Sequence, residues 1–252
     1  MSPVATTVLT AFLVALLGYL LGSVNTAEIL SHSRGIEIRN YGSKNAGGTN
    51  VGRVIGKKEG LTVMGIDILK TYLYGLTVKL LVHYLLLPYL VPFDDMEEAL
   101  MALGALFLAL GHAYPCFFRF KGGKCVACFT GYVLLSSPIL AASGALVFFL
   151  VLKKGRRLSL ASLTGMPTSA LLSFVPMALD LTITPSSGQF DGGFYVGPGL
   201  VFHLSWITTL ALFLLFLFSL YRHRSNVKRL LNGTEPVTKF KKNDGKTDKT
   251  AK

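Results

Sequence analysis

The sequence predicts an all-α polytopic membrane protein of about seven transmembrane helices, with the N-terminus outside and the C-terminus cytoplasmic. Three observations carry this. Apolar residues make up 51% of the chain and charged residues only 15%, below the usual charged share of a soluble domain. The apolar residues form runs long enough to cross a bilayer, not the short alternating segments of a membrane β-barrel. The basic residues behind a formal net charge of +12 lie between those runs and at the C-terminus. That placement marks the inner face of a membrane and its anionic head groups, not a nucleic-acid site.

The elements follow in order. Residues 6–24 form a first span; the stretch before it lacks a basic n-region, so it reads as a retained helix, not a cleaved signal, and favours an outer N-terminus. The following loop carries Arg34, Arg39, Lys44, Arg53, Lys57 and Lys58 and is cytoplasmic by the positive-inside rule. The second span, 61–87, contains Asp67 and Lys70, three apart and able to pair on one helix face; equally, both can sit near the interface and snorkel, together with Lys79 at the other end. An acidic outer loop with Asp94, Asp95, Glu97 and Glu98 leads to the third span, 99–117, and to a second basic loop.

The stretch 126–152 poses a question of parity. A single pass would place Lys153, Lys154, Arg156 and Arg157 outside, whereas two short passes turning near Ser136, Ser137 and Pro138 return them inside. As helix the whole stretch rises only about 40 Å, so each pass is short. A sixth span, 159–182, is irregular because of Pro167 and Pro176; residues 185–199 form an outer loop; 200–221 is the seventh span. No internal repeat appears. Residues 1–235 read as one membrane-embedded domain and 236–252 as a basic, disordered cytoplasmic tail.

Four polar segments, 34–58, 119–125, 153–159 and 222–235, therefore share one membrane face. The first contains GSKNAGGTNVGR, residues 42–53, which has no apolar face to bury and so reads as a loop. Its glycines let main-chain N–H groups approach an anion closely. Ser43, Asn45, Thr49 and Asn50 add neutral hydrogen-bonding groups, and Arg53 adds a planar cation suited to phosphate. The same residues also suit a polar connecting loop. The second segment holds Lys121, Gly122, Gly123 and Lys124 just before an apolar helix whose N-terminus could seat a phosphate; two interfacial lysines meeting lipid head groups is the alternative. The spacing is not that of a Walker A loop. The third segment offers Arg157 and Ser159, the latter also a helix N-cap. The fourth offers His223, Asn226 and Arg229, the first two on one helix face.

Such a set suits a ligand with two phosphate groups, or two phosphorylated ligands. Cys116, Cys125 and Cys128 lack the partners of a zinc site and read as small apolar packing, and no metal cluster or Ser-His-acid triad is visible, so no cofactor or metal is expected. His112 reads as a packed histidine, because Phe117 stands where the acid of an H-x-x-x-x-D pair would be.

These motifs resemble those of the PlsY-type acyl-phosphate:glycerol-3-phosphate acyltransferases. GSKNAGGTNVGR resembles the family's GSxNxGxTNxxR loop, GHAYPCFFRFKGGK its GHxFPxFLxFKGGKG motif, RRLSL its basic-serine element, RHRSNVKRLLNGTE its RHxxNIxRLxxGxE element, and IDILK its LDxxKG element. They occur in the family's order from Gly22 to Glu235. The departures are Lys44 for glycine, Gly48 for alanine, Cys125 for the last glycine of KGGKG, Cys128 for threonine, Asn25 and Glu28 near the end of the first span, and Thr71 for the glycine after Lys70.

The resemblance implies seven membrane helices, a bacterial cytoplasmic-membrane location with the active site facing the cytoplasm, and acyl transfer from acyl phosphate to the 1-hydroxyl of glycerol 3-phosphate without a covalent intermediate. The substrates and membrane lipids are then the partners, with no nucleic acid; a monomer is compatible with this, and the oligomeric state stays open. Carried over by position, Ser43, Arg53, Lys121, Lys124, His223 and Asn226 are the catalytic set. Asn45, Gly47, Gly48, Thr49, Asn50, Gly122 and Gly123 bind the acyl phosphate, and Arg157, Ser159 and Arg229 the glycerol 3-phosphate. An anion or lipid-phosphate transporter and a non-catalytic homologue are the alternatives.

Overall fold

The computed structural model describes residues 1–175 and 205–238. Among these, the regular elements are all helical: α1 (Pro3–Ser23), α2 (Thr26–His32), α3 (Gly48–Val54), α4 (Lys57–Leu81), α5 (Met96–Ala113), α6 (Val126–Ser136), α7 (Pro138–Gly155), α8 (Leu158–Leu172), α9 (Trp206–Arg222) and α10 (Arg224–Leu231), with short 3₁₀ and π turns between some of them. Side-chain caps start several helices. Ser2 accepts from the Ala5 N–H, Ser205 from Thr208 and Asn25 from Glu28.

Four helical stretches, Pro3–His32, Lys57–Tyr89, Met96–Phe118 and Pro138–Gly155, are long and apolar enough to cross a membrane. The helices α6 and α8 are shorter, and α9 with α10 makes a pair bent by 64°. The expected break at Ser136–Pro138 is present: Ser137 caps α7 and Pro138 occupies its first turn. The two passes are unequal, with 11 residues in α6 and 18 in α7. Pro167 lies inside α8. Pro176, the 185–199 loop and the tail beyond residue 238 fall outside the described residues.

Small residues set the helix crossings. On the α1–α5 contact a Cβ at Gly22 would collide with the Leu108 carbonyl and one at Gly111 with that of Tyr19. At the α7–α8 crossing a Cβ on Gly165 would come within 2.7 Å of the Gly144 carbonyl. Such contacts let backbones approach where lipid offers no hydrophobic drive. The helix α5 sits at the centre, and its Ala105, Leu108 and Ala109 join Tyr132 of α6 and Leu212 and Leu215 of α9 in the main core. By contrast α1 shows Val8, Phe12 and Leu17 outward. Asp67 and Lys70 do pair, at 2.9 Å; Thr26 donates to Asp67 at 2.9 Å and Lys70 to the Val24 carbonyl at 3.0 Å. The buried pair thus ties α4 to the α1–α2 junction.

One expectation fails. Residues 42–53 are not wholly a loop without an apolar face: Gly48–Val54 is helical, and Val51 and Ala46 are buried with Ala27, Ile38 and Val63. The physical reason is close packing. A Cβ on Gly48 would stand 2.7 Å from the Gly60 carbonyl, and one on Gly60 would stand 2.6 Å from the Gly52 Cα. Backbone contact with α4 replaces the apolar stripe that the sequence lacks.

Candidate active site

The four polar segments converge. The turn at 38–41 leads into the Gly42–Gly47 loop and α3. Asn50 closes that loop: its Oδ1 accepts the Ser43 N–H at 2.8 Å, and its Nδ2 donates to the carbonyls of Ile38 at 3.1 Å and Tyr41 at 3.0 Å. Both N–H donors of the Asn50 side chain are therefore engaged inside the protein, where they hold the loop's shape. Gly48 is a packing position, where a Cβ would meet Met64 and the Gly60 carbonyl. Ser43 remains exposed, and Asn45, Gly47 and Thr49 are half-buried. Lys44 adopts φ +57°, the left-handed conformation that favours glycine.

The second loop is held by its carbonyls. Arg39 donates to the Lys121 oxygen; Arg222 donates to those of Gly122 and Gly123, at 3.2 Å each; Ser219 donates to that of Lys124 at 2.7 Å. Arg222 also lies over the Tyr114 ring, 4.7 Å from its centroid. The Gly123 N–H donates to the His112 carbonyl at 2.9 Å, and the His112 ring occupies the space where a Gly123 side chain would stand. A Cβ on Gly122 would collide with the His112 carbonyl. These glycines serve close packing, and the N–H of Gly123 is not free for a phosphate, contrary to expectation. Cys125 caps α6 at φ +64° and donates its thiol to the Ala109 carbonyl at 3.2 Å. Cys125 and Cys128 are buried and unbridged.

The third and fourth segments meet at Glu235. Its Oε1 accepts from Ser159 at 2.6 Å and from the Asn226 amide at 2.8 Å, its Oε2 pairs with Arg229 at 2.7 Å, and its main-chain oxygen accepts from Arg157 at 3.0 Å. Ser159 is not the N-cap of α8; Arg157 holds that position, and the serine hydroxyl points to the carboxylate instead. Asn226 bridges the halves, because its Oδ1 accepts from Lys124 Nζ. Burial alone would raise the Glu235 carboxyl. The hydrogen bonds from Ser159, Asn226 and Arg229, with the Arg229 charge, outweigh it and hold the group below the ordinary carboxylate range.

Cations outnumber this one carboxylate. Burial, reinforced by Arg229, Arg53 and Arg222 and opposed by Glu235, brings Lys124 down to about 8. Arg53 is shifted down by burial, with Glu235 opposing and Arg229 reinforcing. Its Nε is buried without a hydrogen-bond partner among the described residues. An unpaired, buried guanidinium nitrogen beside an ammonium held by a neutral amide is a site short of negative charge. His223 sits at the break between α9 and α10. Its Nδ1 donates to the Ser219 carbonyl at 2.8 Å, so Nε2 is the acceptor in the neutral ring. Burial, then the Lys124 charge, lowers it to about 4. Lys121 reaches solvent at the rim.

A family model described as glycerol-3-phosphate acyltransferase matches residues 12–233. The chain belongs to this family. It is 34% identical over 226 residues to a glycerol-3-phosphate acyltransferase of Mycoplasmopsis pulmonis, covering 89% of this chain and 91% of that one. With the Bacillus cytotoxicus relative of the same name it shares 36% over 233 residues, 92% and 96% of the two chains. The crystal structure of PlsY (YgiH), an integral membrane glycerol 3-phosphate acyltransferase in its glycerol 3-phosphate form, superposes with TM-score 0.70 at 30% identity, over 90% of this chain and 94% of that one. Its lysophosphatidic acid form gives 0.69 at 29%.

Within this candidate site, the sequence does not single out Glu235, Arg222, Ser219 or Arg39. The first had a signal, as the closing residue of the C-terminal element. The others act through main-chain oxygens 80 or more positions away, which no motif displays.

Proposed function

We propose that this protein transfers a fatty acyl group from acyl phosphate to the 1-hydroxyl of glycerol 3-phosphate, giving lysophosphatidic acid and phosphate with no acyl-enzyme. The observation that carries it is the under-neutralised cationic site: Arg53 with its buried unpaired Nε, Lys124 on Asn226, and Arg229 around the single carboxylate of Glu235. Family membership supports the acceptor. The chemistry supports the donor, because an acyl phosphate is a mixed anhydride and its leaving group is a dianion that such a site stabilises. The two substrates need positioning and charge neutralisation, not a protein nucleophile.

In this reading Arg53 and Lys124 receive the donor phosphate, with Ser43, Asn45 and Thr49 at the exposed edge and Lys121 at the rim. Arg157, Ser159 and Arg229 border the acceptor phosphate from the Glu235 side. The 1-hydroxyl donates to His223 Nε2. The hydroxyl oxygen attacks the acyl carbon, the acyl C–O bond to phosphate breaks, and the departing phosphate takes the proton. A histidine near 4 orients the hydroxyl and is too weak a base to keep its proton.

The same reading places seven passes in a bacterial cytoplasmic membrane with the site facing the cytoplasm. The alternating ends of α1, α4, α5, α6, α7, α8 and α9 support it, since the basic segments at 34–58, 119–125, 153–159 and 222–235 meet at one end. The test is donor exchange on purified protein. Acyl phosphate should yield lysophosphatidic acid and acyl thioester should not. Product from thioester alone overturns the donor, and vesicle uptake of phosphate without acyl transfer would support a transporter.

A further inference from the structure

Four consecutive carbonyls, Lys121 through Lys124, each accept from a side chain of another segment. Three of these bonds come from α9. The fourth, from Arg39, comes from the turn before α3, and this turn also anchors Asn50 through the Ile38 and Tyr41 carbonyls. Arg39 is thus a direct bridge between the segment that presents Arg53 and the loop that presents Lys124.

The Arg39 guanidinium is itself fixed. Its Nε makes an ion pair, rather than a linear hydrogen bond, with Oε1 of Glu28 on α2. The Glu28 side chain is 3% exposed and that of Arg39 22%. The other carboxylate oxygen of Glu28 faces His32 at 4.0 Å. The chain closes the turn before α2 with Asn25, whose Oδ1 accepts the Glu28 N–H at 3.0 Å and so holds Glu28 in its first turn. A buried carboxylate orients a guanidinium, and the guanidinium's second arm holds the Lys121 carbonyl. An arginine can do both because its fork presents separate donors, whereas a lysine ammonium is a single point.

We infer that Glu28 and Arg39 form a positioning relay that sets the separation of Arg53 from Lys124. This rests on the acyl-transfer reading above. Neither residue is placed against a substrate. The relay acts on geometry, and misplacement of about 1 Å can cost on the order of 100-fold in rate.

The variants are Arg39→Lys, which keeps the charge opposite Glu28 but loses the fork, and Glu28→Gln, which keeps the shape but releases Arg39. Two measurements on detergent-purified protein test them. Hydrogen exchange across residues 121–124 should rise in both variants while the spans keep wild-type protection. In phosphate release with acyl phosphate and glycerol 3-phosphate, kcat/KM should fall about 10- to 100-fold, mostly in kcat. Added guanidinium ion should restore part of the activity of Arg39→Ala.

Wild-type exchange at 121–124 in both variants overturns the relay, whatever the activity. Raised exchange together with wild-type kcat and KM also overturns it, because the loop would then move without consequence for catalysis. A merely structural role would lower the melting temperature and the active fraction and leave kcat per folded, active enzyme at the wild-type value; that result too counts against the relay. If the wild type releases no phosphate, the acyl-transfer reading fails separately, and the exchange measurement still decides whether Arg39 and Glu28 hold the loop.

Discussion

Ser159 and Glu235 meet at 2.6 Å, joining the first turn of α8 to the segment that follows α10. The same carboxylate takes Asn226 and Arg229, so one acidic side chain closes a site otherwise built of cations. Its removal has a computable sign. The folded carboxyl lies below its ordinary value, so its contribution is present above the ordinary range and lost as pH falls through the folded value.

Glu235→Gln is therefore expected to lower stability by about 2 kcal/mol near neutral pH, a figure kept modest because Arg229 is partly solvated. Thermal melts of wild type and variant in detergent should differ at pH 7 and converge in acid. A gap that persists at low pH would contradict the assignment.

The Lys124 ammonium is the cation most open to titration, at about 8. Its charged form is present below that value and is lost as pH rises through it. Catalytic efficiency should fall on the alkaline side, and Lys124→Arg should remove that limb while lowering the plateau, since guanidinium stays charged. Lys124→Ala should cost on the order of 100-fold. Rate profiles from pH 6 to 10, limits chosen to span roughly two units either side of that titration, check all three.

His223 is expected to leave no mark on the pH profile near neutrality, because burial beside Lys124 keeps it neutral there. His223→Gln should reduce kcat by about 10- to 100-fold without moving the alkaline limb. An acid limb near pH 6 that vanishes in the variant would make His223 a true general base and overturn the substrate-phosphate route.

Two departures from the family pattern share one geometry. Lys44 and Cys125 stand where glycine is usual, and both have left-handed backbone, at φ +57° and +64°. Lys44 is exposed, so Lys44→Gly should gain up to about 1 kcal/mol by relieving that conformation and should retain activity. Cys125→Gly should gain less, because its buried thiol fills space and donates to Ala109. Melting temperatures of the two variants give the comparison.

Much of this was legible in the sequence, for reasons specific to each element. Hydropathy and basic loops revealed the helices and the convergence of four polar segments; the turn at Ser137–Pro138 and the Asp67–Lys70 pair followed from parity and from three-residue spacing. The helix at Gly48–Val54 was hidden because glycine-to-glycine contact with α4 leaves no apolar stripe. The internal partners of Asn50 and Gly123 are not legible in the sequence, because residues of a glycine-rich motif look alike whether they face a ligand or bind the protein, and Ser159 gives no sign that Glu235 is its partner. Only the fold shows that Asn50 and Gly123 have already used their hydrogen-bonding groups.

The most direct measurement follows phosphate and lysophosphatidic acid together, from purified protein given acyl phosphate with and without glycerol 3-phosphate. Direct transfer into the Arg53–Lys124 site requires equal amounts of the two products, no phosphate burst without acceptor, and loss of both in Arg53→Ala. A burst of phosphate equal to the enzyme present before acceptor is added would reveal an acyl-enzyme, and full activity in Arg53→Ala would remove the cationic site from the reaction.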